Sequence, residues 1–132
     1  MDISGFYKCM SDPQRIRILS LLEEGELCVC HLSEILDMDQ VRLSKQLRYM
    51  KDQGVATAER SAQWMIYRVA EPVRELLAEN LRCLRVSGGK DLPLSSDREQ
   101  RKKLFERVSV EDSQCSVEIR ELIASNLEKC EL

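Results

Sequence analysis

The segment VCHLSEILDMDQVRLSKQLRYMKDQ, residues 29–53, decides the fold. Apolar side chains recur at helical spacing through residues 29–36 and again through residues 40–53. Between these stretches lies Asp37-Met38-Asp39, a polar turn in which Asp39 is placed to cap the second helix. The segment therefore predicts two short helices joined by a tight turn.

The apolar period changes from 3.6 to 2 after Gly54. Residues 55–60 and 64–69 alternate as two strands around Ser61-Ala62-Gln63, which predicts a β-hairpin. Upstream, helices are expected at residues 3–10 and 13–23, and a fifth helix is expected to begin near Pro72. This order predicts a mainly α-helical winged helix-turn-helix with about five core helices and a two-stranded wing.

Three segments are expected along the chain. Residues 1–86 are expected to form the winged helix-turn-helix domain, and residues 87–96, with their glycine, serine and proline, are expected to form a linker. Residues 97–132 form a C-terminal helical extension, because residues 97–107 are strongly charged and residues 113–130 are weakly amphipathic.

The composition suits a globular protein, since 43% of the 132 residues are hydrophobic and 33% are charged. No apolar run approaches the roughly 20 residues of a membrane span, and the N-terminus does not resemble a secretory signal. We therefore expect a cytoplasmic protein without membrane contact. Six cysteines in a reducing compartment indicate metal binding or redox sensing rather than disulfides.

The net charge of −3 is unevenly distributed. Residues 40–68 contain six basic and two acidic side chains, whereas residues 1–39 contain three basic and eight acidic ones. Because phosphate contact needs a local basic surface rather than a basic protein, this distribution is compatible with binding double-stranded operator DNA.

The second helix of the pair is expected to enter the major groove, and the hairpin to contact the DNA backbone or minor groove. Gln and Arg side chains can read adenine and guanine, while Ser and Lys can hold phosphates. A charged helix face alone is usually just solvated, but the ordered helices and hairpin favour DNA binding. The candidate DNA-binding residues are Gln40, Arg42, Ser44, Lys45, Gln46, Arg48, Arg60 and Gln63.

The second candidate site is the segment ELCVCHL, residues 26–32. A Cys-x-Cys pair is a chelate for soft ions. Residues two apart on a helix differ by about 200° around its axis, so Cys28 and Cys30 can share an ion only if Cys28 is extended or the first turn unwinds. Alternatively, both cysteines could simply be small buried side chains that pack in the core. His31 follows a candidate ligand but could simply be exposed on the helix, and a ligand role for it is not favoured.

These residues resemble the ArsR/SmtB family of metal-responsive repressors, specifically its arsenic and cadmium sensors. The resemblance covers about residues 6–84 and is carried by residues 11–19 (SDPQRIRIL), the ELCVCHL segment, residues 43–47 (LSKQL) followed by Gly54-Val55, and residues 67–69 (YRV).

The resemblance implies a homodimer joined through the first and fifth helices that represses a resistance operon until arsenite, antimonite or a soft divalent ion binds. It implies Cys28 and Cys30 as ligands, and no cofactor is expected for DNA binding itself. Three features depart from the family pattern: His31 replaces a common aspartate, Ser33 stands where one arsenite subtype has a third cysteine, and residues 44–46 read Ser-Lys-Gln rather than Ser-Arg-His.

Arsenite prefers three thiolate ligands, so an arsenite site at Cys28 and Cys30 would need a third sulfur. The candidates, some of which a partner subunit could supply, are Cys9, Cys83, Cys115 and Cys130. The leading hypothesis is an As(III)- or Sb(III)-responsive repressor rather than an enzyme. A thiol-redox or persulfide switch and a Cd(II) or Pb(II) sensor remain as alternatives on the same fold. A thiol enzyme or metal buffer has poor support, because no catalytic acid–base pair is evident.

Overall fold

A computed structural model of the chain describes residues 2–87 and 92–110. The elements in chain order are α1 (Ile3–Cys9), α2 (Pro13–Glu23), β1 (Leu27–Cys28), α3 (Val29–Leu36), α4 (Gln40–Asp52), β2 (Ala56–Ser61), β3 (Trp64–Val69), a 3₁₀ turn (Glu71–Val73), α5 (Arg74–Ser87) and α6 (Leu94–Val110). The predicted winged helix-turn-helix is confirmed. Within the described ranges, no helix has the length and hydrophobicity needed to cross a membrane.

Local capping explains where the helices begin and how the helix pair turns. The side chains of Asp12 and Asp39 accept hydrogen bonds from backbone amides in the first turns of α2 and α4. Asp37 ends α3 in the left-handed conformation, with φ of 51°. The hydroxyl of Ser33 donates to the carbonyl of Met38 at 2.6 Å. Ser33 therefore stabilises the turn between α3 and α4.

The wing contains one strand more than the two expected. The antiparallel sheet has the order β1-β3-β2, and Cys28 in β1 lies opposite Ile66 in β3. A strand of two residues is too short to show an alternating pattern, and its pairing partner is distant in the chain. The local sequence pattern therefore could not reveal it.

The hydrophobic core lies between the first five helices and the inner face of the sheet. Its largest fully buried side chains come from the first five helices and from the sheet, and α5 contributes Leu77. They include Phe6, Ile18, Leu19, Leu21, Leu22, Leu27, Leu32, Leu43, Leu47, Met50 and Leu77.

Helix α6 begins at Leu94, inside the segment 87–96 that was expected to be a linker. It packs on α2 and α3, and its Leu94 and Leu104 are buried in the common core. Asp97 accepts two hydrogen bonds from Arg17 of α2, both of 2.9 Å. The second helix expected in the extension, residues 113–130, falls outside the described residues, and the domain boundaries stay a prediction.

Arg101 is the buried charged anchor of α6. Its guanidinium donates to the carbonyls of Leu21 and Gly25 at 2.9 and 3.3 Å, and lies 3.6 Å from a carboxylate oxygen of Glu24. Leu21 lies in the last turn of α2 and Gly25 follows the helix. Carbonyls at a helix C-terminus have no donor within the helix. Arg101 therefore joins α6 to the segment that leads into β1.

We expect Arg101→Ala to lower the free energy of unfolding by about 1–3 kcal/mol, because two carbonyls lose their donor in a buried place. Urea denaturation followed by circular dichroism measures this. The matched control is Arg98→Ala, which removes an exposed ion pair with the same Glu24 and should cost less than about 1 kcal/mol. Equal losses in both variants would contradict the role given to Arg101.

Candidate metal centre and nucleic-acid interface

The junction between β1 and α3 brings Cys28 and Cys30 together. Cys28 is the residue before the first turn of α3 and has extended backbone angles, with φ of −81° and ψ of 160°. Cys30 lies in the first turn, and the two Sγ atoms are 2.8 Å apart. The geometric condition set by the sequence, an extended Cys28, is met without unwinding the helix.

His31 lies beside the two sulfurs. One imidazole nitrogen is within 4.8 Å of both Sγ atoms, and the residue is only 2% exposed. Within the described part of the chain, neither Nδ1 nor Nε2 has a hydrogen-bond partner. The alternative that His31 is simply exposed on the helix is excluded, because Phe105 of α6 packs edge-on against the ring, with centroids 5.8 Å apart. Nothing in the sequence near His31 signals this tertiary contact.

A small apolar cluster surrounds the sulfur pair. Cys28 and Ile66 are buried together, and Cys30, Trp64 and Phe105 pack against them. Trp64 and Ile66 belong to strand β3 of the wing, whereas Phe105 belongs to α6. The wing, α3 and α6 therefore meet at the two thiols.

Two of the other candidate sulfurs, those of Cys9 and Cys83, lie elsewhere in the protomer. Among the described residues, the only group of three or more His, Cys, Asp or Glu side chains close enough to share an ion is Cys28, Cys30 and His31. Cys9 is buried in α1 and Cys83 is exposed on α5. Cys115 and Cys130 lie outside the described residues. Within one protomer, the described part of the chain thus brings neither Cys9 nor Cys83 to the pair.

Burial raises the pKa of the Cys9 thiol, and the nearby charge of Arg15 only partly opposes this. Because the thiolate is the reactive form, we expect iodoacetamide to alkylate Cys9 at least about tenfold more slowly than the exposed Cys83. Mass spectrometry of the labelled peptides gives both rates, and the denatured chain, in which both should react alike, is the control. Equal rates in the folded protein would show that Cys9 is accessible.

The outer face of α4 carries most of the predicted DNA contacts. Gln40, Arg42, Lys45 and Arg48 are exposed, whereas Ser44 is half-buried. In the hairpin, Arg60 near the end of β2 and Gln63 in the turn are exposed as well. The structure therefore leaves cationic and amide side chains available on both α4 and the wing.

Gln46 differs from its neighbours on α4 because it is tied to α2. Its Oε1 accepts a hydrogen bond from Arg15 at 3.2 Å, and its Nε2 donates to Gln14 at 3.4 Å. The Arg15 guanidinium also lies over the Tyr49 ring, 4.7 Å from its centroid. Arg15 and Gln46 thus fix α4 against α2, a link that helical periodicity did not predict.

The sulfur pair is connected to both parts of this surface. Through β1 it is paired with strand β3 of the wing, and through α3 it packs against α4. A change at the β1–α3 junction can therefore reach both surfaces without crossing the rest of the core.

Comparisons with known proteins identify the relatives of the chain. A family model described as "Bacterial regulatory protein, arsR family" matches residues 12–58. The arsenic resistance transcriptional regulator ArsR1 of Pseudomonas putida is 38% identical over 64 residues, which are 48% of this chain and 50% of that protein. The chain thus spans half the length of that relative. The arsenical resistance operon repressor of Bacillus subtilis is 35% identical over 80 residues, 59% of this chain and 76% of the repressor.

Solved structures show the same fold. The homodimeric winged helix-turn-helix DNA-binding domain of Mb0332 from Mycobacterium bovis aligns with a TM-score of 0.60 and 26% identity, covering 65% of this chain and 81% of that one. The antimony-specific transcriptional repressor AntR aligns with a TM-score of 0.55 and 26% identity, covering 64% and 78%. The chain belongs to the arsR family of bacterial regulatory proteins, and is a transcriptional regulator rather than an enzyme.

Proposed function

We propose that this protein is a metalloid-responsive repressor, which binds operator DNA as a dimer and is released when As(III) or Sb(III) is bound by Cys28 and Cys30. The observation that carries the proposal is the position of the two sulfurs, 2.8 Å apart at the junction of β1 and α3. The relatives named for arsenic resistance and the antimony-specific AntR support the choice of metalloid.

DNA binding uses α4 in the major groove and the hairpin beside it. Arg42 and Gln40 stand near the N-terminus of α4, where a recognition helix contacts base edges, and Lys45 and Arg48 reach phosphates. Arg60 adds a backbone or minor-groove contact from the wing. Metal-free protein is the DNA-binding form, and no cofactor is required for it.

Release follows from where the ligands sit. Binding of both sulfurs to one ion holds an extended residue of β1 and a helical residue of α3 at a fixed separation. The sulfur atoms must open from 2.8 Å toward the separation of two donors about 2.3 Å from a shared ion. That movement shifts α3 relative to β3, and hence α4 relative to the wing.

Exposed apolar side chains on the first and fifth helices support a dimer of the kind the family resemblance implies. Ile3 and Tyr7 of α1 are 57% and 48% exposed, and Val86 of α5 is 78% exposed. Burying such side chains between subunits removes apolar surface from water. Dimerisation also places two copies of α4 on a palindromic operator.

Fluorescence anisotropy of a labelled operator fragment tests the function. Arsenite and antimonite are titrated into the complex of DNA and reduced protein, and the anisotropy is expected to fall to that of free DNA. Cd(II) and Pb(II) are titrated in parallel to rank the inducers. If neither arsenite nor antimonite releases the DNA, the proposal is wrong.

A redox switch is the second candidate, and the short separation of the Cys28 and Cys30 sulfurs favours it. Two thiols lose two protons and two electrons to form a disulfide, while hydrogen peroxide is reduced to water. Peroxide is added to the DNA complex under chelation. Release by peroxide with arsenite inert would support this candidate over metalloid sensing.

A further inference from the structure

We propose that His31 is the third ligand of the Cys28–Cys30 site, which makes it a two-sulfur, one-nitrogen site for a divalent ion of the zinc and cadmium class. The proposal shares its sulfur pair with the proposed function, but it assigns a different donor and a different class of ion. Its basis is the cluster of three donors within 4.8 Å of one another.

The His31 imidazole has unsatisfied hydrogen-bonding capacity among the described residues. Both ring nitrogens are buried, and neither forms a hydrogen bond with any residue that the structure describes. Buried polar groups are nearly always hydrogen-bonded, because leaving one unsatisfied is costly. A metal ion bound to one of these nitrogens removes much of that penalty, which explains why a histidine can be kept here.

The ring is also held in place from the α6 side. Phe105 contacts it edge-on, and the guanidinium of Arg101 lies over the Phe105 ring, 5.0 Å from its centroid. Since Arg101 is anchored on the carbonyls of Leu21 and Gly25, this stack fixes the imidazole against the sulfur pair. A metal-bound histidine usually donates its second ring nitrogen to a hydrogen-bond acceptor, whereas here the packing of Phe105 orients the ring.

The donor set favours a divalent ion. Imidazole and thiolate together suit Zn²⁺, and the donors of a tetrahedral site lie about 3.5–3.8 Å apart. To reach that spacing, the two sulfurs must open from 2.8 Å and the nitrogen, now within 4.8 Å of them, must approach. Three protein donors leave one position open for water or a further ligand. Arsenite prefers thiolate ligands to imidazole. His31 should therefore contribute to the binding of divalent ions rather than to the binding of As(III).

The test is Cd²⁺ binding to the reduced, full-length chain, followed by the ultraviolet charge-transfer absorption of cadmium–thiolate bonds. Cadmium-edge X-ray absorption counts the donors, and two sulfurs plus one nitrogen are expected per protomer. His31→Leu should weaken Cd²⁺ binding by about 10–100-fold and remove the nitrogen from the donor set. Wild-type cadmium affinity and donor count in His31→Leu would overturn the proposal.

Two further variants keep the result independent of folding. Thermal melts of the metal-free proteins should show His31→Leu at least as stable as wild type, because the unpaired nitrogens are gone. His31→Asn tests the site if the leucine variant folds poorly. His31→Cys should restore tight Cd²⁺ binding by supplying a new donor, and failure of this rescue would count against a ligand at position 31.

The outcome is separable from that of the proposed function. If Cys28→Ser with Cys30→Ser still releases DNA in arsenite, metalloid sensing at this pair fails, whatever His31 does. If cadmium absorption shows that the nitrogen donor disappears in His31→Leu, the S₂N site stands even when arsenite proves inert.

Discussion

Replacing Cys28 and Cys30 together by serine is expected to abolish the release of operator DNA by arsenite. Serine keeps the shape of the side chain, but its hydroxyl is neutral at physiological pH and is a hard, weak ligand for soft ions. We expect the double variant to bind the operator as wild type does, and to remain bound at arsenite concentrations at least about 100-fold above those that release the wild type. Fluorescence anisotropy measures the affinity for the operator and the arsenite concentration that releases the DNA.

The matched control is Cys83→Ser, which removes an exposed thiol on α5. It should leave the arsenite response unchanged, because Cys83 does not lie with the pair in the protomer. A weakened response would instead assign Cys83 of the partner subunit to the site. Each single variant, Cys28→Ser or Cys30→Ser, should lose most of the response, because one sulfur cannot form the chelate. Normal release from the double variant would contradict the site assignment.

Removing three cations from the outer face of α4 is expected to cause the second large effect. In the triple variant Arg42→Ala, Lys45→Ala and Arg48→Ala, operator affinity should fall by at least about 100-fold at moderate salt. These side chains are exposed in the DNA-free protein, so their removal should barely change the free energy of unfolding. Affinities measured at several salt concentrations should depend less steeply on salt, by about one unit of slope for each phosphate that the variant no longer neutralises.

The control for charge alone is Lys102→Ala with Lys103→Ala, two exposed lysines on α6. Helix α6 packs on α2 and α3, so these lysines lie outside the proposed DNA surface. The control should lower affinity by less than about threefold. If the control reduces affinity as much as the triple variant does, net charge rather than the α4 surface governs binding.

Much of the fold was predictable because it is written in local patterns. The period of apolar residues placed α2, α3 and α4 within a residue or two of their observed ends. Asp39 was expected to cap α4, and its carboxylate does so at the amide of Arg42. Hairpin strands β2 and β3 followed from the change of period after Gly54. Each of these features depends on neighbours within a few residues, which is the range that sequence patterns report.

Tertiary contacts decided the remaining features. Gln46 looked like a base-reading residue from its place on α4, and only the packing of α2 revealed its hydrogen bonds to Arg15 and Gln14. Ser33 stood out as a missing cysteine, yet the structure gives it a hydrogen bond that holds the α3–α4 turn. Helix α6 was expected beyond a linker, whereas Asp97 and Arg101 attach it to α2.

The sequence by itself determined that Cys28 and Cys30 could share an ion only if Cys28 was extended or the first turn of the helix unwound, since helix geometry separates residues two apart. The tertiary structure decided that this condition holds, because β3 pairs with Cys28 through Ile66 and keeps it in a strand. It also decided that His31 is buried beside the sulfurs, because α6 covers that face of α3 through Phe105. Local pattern sets which conformations a segment can adopt, whereas contacts between distant segments select one of them and set what each side chain faces.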